Sequence, residues 1–335
     1  MPATAARRRA IRVALTLLVT GACLAYILIR VDLRRTVTAL AHSDLRWFAL
    51  AFATLLATLP PITWRWQRLL RAGGVEASFG SLLRANVIAY AAGQVLPTAV
   101  GGDATRIYET TRRNGGAGGA VAGSVVLERA LGACATLILA ALGFVLAIGR
   151  YPVGAYVWLE CVFAFGTLVV GILFFSRTLR APLARVVPLL RVVRLDRVLR
   201  SVYVAIHAYR AHKRLLVEML ALTLVVQAVR VLTIWMAAEA AGLRLSPIPF
   251  FVMGPLLFLV MLVPFTVNGF AVRETFFVDF LTRLGAHPEA AFVTGVLYFL
   301  LAVGLGLPGL FVLTWTAIRS ALGARPSAAG RSSSG

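Results

Sequence analysis

The sequence predicts an all-α, polytopic helical membrane protein, and its composition and its apolar runs carry this prediction. The chain has 335 residues, of which 60% are hydrophobic and only 14% are charged, whereas a soluble domain has about 25% charged residues. The mean hydropathy is +0.85. Several apolar runs reach the roughly 20 residues that a helix needs to cross a bilayer. We expect about six full spans plus two re-entrant broken-helix hairpins, arranged as an inverted repeat.

The predicted full spans coincide with the apolar runs. They cover about 11–29, 47–63, 119–149, 154–176, 216–240 and 290–317. Two further apolar segments, 79–97 and 248–264, are ambiguous because each leads directly into helix-breaking and charged residues. Residues 1–320 are predicted to form a single transmembrane domain. The Pro, Ala, Gly and Ser content of residues 321–335 predicts a disordered tail.

Both ambiguous segments lead into the same spacing, Pro-x4-Gly-x3-Arg. It occurs at Pro97, Gly102 and Arg106, and again at Pro264, Gly269 and Arg273. Broken backbone and buried charge are costly in hydrocarbon, so their joint recurrence indicates a functional role. The repeat predicts one function that is shared between two related halves.

The charge of the loops indicates whether these segments cross the membrane or turn back within it. The arginines at the start of the chain favour a cytoplasmic N-terminus, which also places Arg65 in a cytoplasmic loop. If 79–97 crossed fully, the strongly basic loop at 177–214 would face outside. A re-entrant hairpin at 79–116 keeps that loop in the cytoplasm. A second re-entrant hairpin at 248–288 keeps the C-terminus in the cytoplasm. The hairpins then enter from opposite sides, as the inverted repeats of many transporters do.

The formal net charge is +21, and the basic residues lie mainly in loops between the apolar runs. Attraction to anionic lipid and the positive-inside rule explain this charge better than nucleic-acid binding. Within the loop at 177–214, apolar residues recur at helical spacing near 183–200, which predicts a cytoplasmic amphipathic helix on the membrane surface. A solvated basic loop is the alternative. We expect membrane lipids, and not nucleic acid, as partners.

The first Pro/Gly/Arg stretch offers a candidate anion site. Asp103 and Arg106 are three residues apart, so they share a face if a helix begins at the glycines. Gly101 and Gly102 permit a tight turn and leave backbone N–H groups suited to a phosphate. The guanidinium of Arg106 can grip such a group bidentately. In the alternative interpretation, Asp103 caps the helix and pairs with Arg106 in a purely structural hairpin.

Glu128 and Arg129 lie within a long apolar run, where each charge costs about 2.5–3.5 kcal/mol on insertion scales. Adjacent residues diverge by about 100° around a helix, so they face different partners. We expect Arg106 as the partner of Glu128, and a lipid phosphate or Glu274 as the partner of Arg129. An interhelical pair that only fixes helix contacts is the alternative.

The second stretch mirrors the first with Asn268, Gly269, Arg273 and Glu274. Arg230 is an isolated cation within a predicted span, and it either contacts a headgroup or snorkels to the interface. The sequence contains no catalytic constellation, metal-ligand spacing or nucleotide motif, so we expect no catalytic residues, metal or cofactor.

These motifs resemble the lysylphosphatidylglycerol synthase transmembrane family, also called flippase-like domain proteins, over roughly residues 10–320. The similar features are Gln94 to Pro97 with Gly101, Gly102, Asp103 and Arg106, then Val125 to Arg129, then Pro264, Gly269, Arg273 and Glu274, and late Pro308 and Gly309. The domain looks like the translocating half of multiple peptide resistance factors, which flip aminoacylated phosphatidylglycerol. We expect no soluble synthetase domain in this protein, so the resemblance does not imply aminoacyl transfer. In one departure from the family pattern, Asn268 stands before a single glycine, Gly269, where a pair of glycines is expected.

The leading functional hypothesis is a flippase-like transporter in the cytoplasmic membrane, with both termini in the cytoplasm. Arg106, Arg129 and Arg273 would hold the headgroup of an anionic or aminoacylated phospholipid, and their acidic neighbours would balance charge. The first alternative is an enzyme, or enzyme subunit, that handles sugars linked to polyprenyl phosphate. The second is a small-anion channel. The sequence leaves open a homo-oligomer or a partner membrane enzyme.

Overall fold

A computed structural model gives the three-dimensional arrangement of most of the chain. It describes residues 25–27, 29–95, 101–115, 117–152, 154–158, 161–162, 165, 209, 212–261 and 271–323. Within these ranges the regular structure is helical and contains no β-strand. The predicted all-α membrane class is therefore confirmed.

The described helices are named in chain order. They are α1 (Leu33–Ala41), α2 (Leu45–Ala57), α3 (Leu59–Ala72), α4 (Phe79–Val95), α5 (Gly101–Arg113), α6 (Gly118–Ala147), a 3₁₀ turn (Gly154–Tyr156), α7 (Lys213–Ala240), α8 (Phe250–Met261), α9 (Val272–Arg283) and α10 (Pro288–Gly323).

Among the described residues, four helical segments are long and apolar enough to cross a membrane. They are Leu45–Ala72, Gly118–Ala147, Lys213–Ala240 and Pro288–Trp315. They match the spans predicted at 47–63, 119–149, 216–240 and 290–317. The spans predicted at 11–29 and 154–176 lie largely outside the described residues, as do the amphipathic segment and the tail. The count of six full spans stays a prediction.

The first span is longer than its apolar run. Prolines at the start of α3 lack the N–H groups that a continuous helix would use, so the helix is divided at Thr58. The helix nevertheless continues to Ala72, and this extension carries Arg65 into the protein interior. Arg65 therefore lies in a helix and not in the predicted loop, and its cytoplasmic side stays a prediction.

Helices α4 and α5 form an antiparallel hairpin. A Cβ atom at Gly102 would lie 2.6 Å from the carbonyl oxygen of Ala89. Further along α5, Arg106 reaches back to the earlier α4 residue Asn86. Both helices have fewer residues than a full span, 17 and 13 respectively. The predicted helical hairpin is present, and its re-entrant depth in the bilayer stays a prediction.

The second hairpin region differs in helix register. Helices α8 and α9, with 12 residues each, contact one another in the core, while Asn268 and Gly269 lie outside the described residues. Arg273 is the second residue of α9, whereas Arg106 lies one turn inside α5. Ala271, directly before α9, has a φ of 68°, a strained value for a residue with a side chain. The inverted relation of the two halves stays a prediction.

Small residues bring the long helices together. At Gly309 in α10, a Cβ atom would overlap the carbonyl oxygen of Val87 in α4. At Gly143 in α6, it would lie 2.6 Å from the backbone of Phe251 in α8. Such close approach is the usual basis of helix association in membranes. These contacts hold α4 closely against α10 and α6 closely against α8.

We expect Gly309→Ala to destabilise the protein by about 1–3 kcal/mol, because the added methyl group has to displace neighbouring backbone. Gly132→Ala is the matched control, since a Cβ atom at that position in α6 meets nothing within 4 Å. Thermal unfolding of the purified variants in detergent compares them. Equal melting temperatures for the two variants would contradict the close α4–α10 contact.

Candidate functional site

The site is centred on the carboxylate of Glu128, which lies in α6 and is buried. Arg65 from α3 forms an ion pair with Glu128 Oε1. Arg106 from α5 places Nη1 2.7 Å from Glu128 Oε2. Both arginines are also buried. The expected pairing of Arg106 with Glu128 is present, and three helices are joined through one carboxylate.

Asp103 extends this centre toward the surface. Its Oδ1 accepts a hydrogen bond from Arg106 Nε at 3.0 Å, so the two side chains share a face of α5 as expected. Its Oδ2 accepts from Arg129 Nε at 2.7 Å. The expected pairing of Arg129 with Glu274 is wrong, because this face of α6 meets the first turn of α5 and Glu274 pairs within α9.

We call these five residues the charge cluster: Arg65, Asp103, Arg106, Glu128 and Arg129. Four of them have side chains that are 13% exposed or less, whereas the Arg129 side chain is 55% exposed. A guanidinium at the edge of a buried ionic site is free to contact a further group. Arg129 is therefore the accessible side of the cluster.

Polar and aromatic neighbours position the buried guanidiniums. Arg65 Nη1 donates to Thr223 Oγ1 at 2.7 Å, which adds α7 to the site. The guanidinium carbon of Arg106 lies 4.8 Å from the centroid of the Trp66 ring. Arg106 Nη1 also lies 3.5 Å from Asn86 Oδ1. The orientation of both cations is therefore set before any ligand binds.

Gly101 and Gly102 form the start of α5. The contact of Gly102 with Ala89 shows that a larger residue would push α5 away from α4. This close approach brings Asp103 and Arg106 to Glu128. The predicted donation of their backbone N–H groups to a phosphate stays a prediction.

The charge cluster carries more positive than negative charge. It holds three guanidiniums and two carboxylates, and among the described residues no further carboxylate forms an ion pair with these arginines. An uncompensated cation in a low-dielectric setting favours an anionic ligand. Within the same ranges there is no group of three metal-ligating side chains.

The described residues that were predicted from the second half lie outside the charge cluster. Arg273 and Glu274 are buried and form an ion pair with each other. Glu274 Oε2 also accepts the N–H of Ala271 at 2.9 Å, and the guanidinium of Arg273 lies 4.7 Å from the Phe299 ring centroid. This pair is electrically neutral by itself and is separate from the ion pairs of the charge cluster.

Arg230 lies within α7 and points inward. Its Nη2 donates to the hydroxyl oxygen of Tyr90 in α4 at 2.6 Å, and its guanidinium carbon lies 5.9 Å from the centroid of that ring. No carboxylate among the described residues forms an ion pair with it. This inward contact contradicts the snorkelling alternative.

Sequence reasoning missed Arg65, Asn86 and Tyr90 as site residues. Arg65 shares its helix with Arg68 and Arg71, so the three together are typical of a cytoplasmic loop. The available signal was the aromatic pair flanking it, Trp64 and Trp66, which is typical of a segment at the membrane interface and not of a loop in water. Asn86 and Tyr90 are one helical turn apart in α4, and so face the same neighbours.

Glu128→Gln is expected to destabilise the protein by about 3–5 kcal/mol, because two buried guanidiniums lose their shared counter-charge. Glu218→Gln is the matched control. Its carboxylate is 42% exposed and pairs with Arg68 and Arg214 near the start of α7, so its loss is expected to change stability by about 0.5 kcal/mol or less. Unfolding of the detergent-purified variants measures both. A Glu128→Gln protein as stable as the control would contradict the structural role assigned to Glu128.

The chain was also compared with known proteins. The family model described as the lysylphosphatidylglycerol synthase TM region matches residues 13–309. A search of curated proteins finds no match. The matched region includes every residue of the charge cluster and both hairpin regions. The chain therefore belongs to the lysylphosphatidylglycerol synthase transmembrane family, whose members are membrane proteins related to lipid handling.

Proposed function

We propose that the protein moves a lipid with a phosphate-containing headgroup across the cytoplasmic membrane. The observation that supports this most directly is the excess of guanidinium over carboxylate in the charge cluster. A phosphodiester carries one negative charge and accepts two parallel N–H···O bonds from an arginine. It therefore supplies both the charge and the geometry that the cluster lacks.

Arg129 is the first contact in this proposal. Its Nε is committed to Asp103, and its side chain is more than half exposed. The remaining nitrogens can bind a headgroup that arrives from the lipid–protein boundary. Asp103 then orients Arg129 for the phosphate while Arg106 and Arg65 hold Glu128 in place.

The outer faces of the long helices suit the acyl chains. Large apolar side chains of α6 and α10 are exposed in the isolated protein, among them Leu142, Val145, Leu307 and Phe311. In a bilayer these faces contact lipid tails. A headgroup bound at Arg129 therefore keeps its tails in the hydrocarbon while its phosphate enters the protein.

The Arg273–Glu274 pair is the counterpart in the second half. We assign it to the external side, with the termini in the cytoplasm, following the distribution of basic loops. A phosphate that reaches Arg273 would compete with Glu274 for the same guanidinium. Alternating access of the two hairpins would then release the headgroup on the opposite side.

A liposome assay tests the proposal. The purified protein is reconstituted with fluorescent phosphatidylglycerol, and a membrane-impermeant quencher reports headgroup transfer between leaflets. We expect Arg129→Gln to slow transfer about tenfold, because a hydrogen bond to a charged group contributes about 1.5–3 kcal/mol. Arg214→Gln is the control, since that side chain is 95% exposed at the start of α7.

Equal transfer rates for wild type, Arg129→Gln and protein-free liposomes would contradict the proposal. Ion conductance without lipid transfer would favour an anion channel. Sugar transfer from a polyprenyl phosphate by the purified chain would favour the enzyme alternative.

A further inference from the structure

Helix α7 carries a polar face that runs along its length. Thr223, Gln227 and Arg230 recur at intervals of four and three residues, so they lie on the same side of the helix. We call these three residues the polar track. Mean hydropathy over the α7 span is 2.1, so a polar stripe in this helix requires interior partners.

Each member of the polar track has such a partner on a different helix. Thr223 accepts from Arg65 of the charge cluster at 2.7 Å, and Gln227 donates to Thr136 of α6 at 3.1 Å. Arg230 donates to Tyr90 of α4 at 2.6 Å. The track therefore begins at the charge cluster and continues along α7 between α6 and α4.

Arg230, at the far end of the track, has unused binding capacity. Its Nε is buried, and no hydrogen-bond partner for it exists among the described residues. The one described hydrogen bond of its guanidinium is to a neutral hydroxyl. A half-buried guanidinium that has neither a carboxylate nor a full set of acceptors is an anion site by its chemistry.

The position of Arg230 connects the two halves. Arg230 interacts electrostatically with Glu128 of the charge cluster. The ring of Tyr298 in α10 lies within electrostatic range of both Arg230 and Arg273. Arg230 is therefore linked electrostatically to the charge cluster and, through Tyr298, to Arg273.

We propose that Arg230 and the Tyr90 hydroxyl form a second phosphate site, at which the lipid headgroup rests between the charge cluster and Arg273. The inference rests on the proposed function and adds an intermediate position to it. Arg230 Nε has no described hydrogen-bond partner, and one N–H of Nη2 lies parallel to its N–H, so this edge supplies two parallel donors to a phosphodiester. The Tyr90 oxygen accepts from Arg230 Nη2, so its own proton is available for a phosphate oxygen.

Transfer assays with Arg230 variants test the step itself. We expect Arg230→Gln to slow phosphatidylglycerol transfer at least about tenfold in liposomes, and Arg230→Lys to fall between it and wild type because it keeps the charge without the fork. Thermal stability of Arg230→Gln should be no lower than that of wild type, since the variant removes a half-buried cation that has no described carboxylate partner. Arg214→Gln is the matched control. Transfer by Arg230→Gln at the wild-type rate would overturn the proposal.

A cross-linking experiment measures whether lipid occupies the second site, and it does not require transport. Phosphatidylglycerol with a diazirine beside its phosphate is photolysed with the reconstituted protein, and labelled peptides are mapped by mass spectrometry. We expect labelling near both Arg129 and Tyr90 in wild type, with loss of the Tyr90 label alone in Arg230→Gln. Labelling of this kind with no transfer by wild type would sustain the second site while contradicting the proposed transport.

Three results of the cross-linking experiment would contradict the proposed second site. They are absence of the Tyr90 label in wild type, its persistence in Arg230→Gln, and joint loss of both labels in that variant when the protein is still folded. Inorganic phosphate in excess distinguishes the ligand source. If it removes the Tyr90 label while the lipid remains bound near Arg129, the site binds free phosphate and the lipid assignment is wrong.

Discussion

The structure depends on one buried carboxylate held by two guanidiniums. In a low-dielectric interior a lone Glu128 would be prohibitively costly, and so would Arg65 or Arg106 by itself. Together they join α3, α5 and α6 at one point. The helix contacts at Gly102 and Gly309 allow the backbones to approach closely enough for this geometry. The charges and the close helix contacts therefore support each other.

The same arrangement leaves the site with an excess of positive charge that a ligand can balance. Asp103 and Glu128 neutralise only two of the three guanidiniums in the charge cluster, and Arg230 adds a further cation without a described carboxylate partner. A protein selected for stability alone would have little reason to keep this imbalance in a membrane. Membership of a lipid-handling family agrees with a phosphate as the missing partner.

Much of the fold could be predicted from the sequence because hydrocarbon imposes strong constraints. Apolar runs identified the long helices, and the need for a counter-charge led from Glu128 to Arg106. The partner of Arg129 could not be predicted, since helical geometry says only that it diverges from Glu128. Arg65 was missed because a run of arginines after an apolar segment is typical of a loop. Tertiary contacts, which no local pattern encodes, decided both cases.

The central claim is that the excess of guanidinium groups binds an anionic phospholipid. Native mass spectrometry of the purified protein, offered phosphatidylglycerol and diacylglycerol at equal concentration, measures this most directly. The account predicts that phosphatidylglycerol is retained in clear preference, and that the preference falls when Arg129 is replaced by glutamine. Equal retention of the two lipids by the wild-type protein would contradict it.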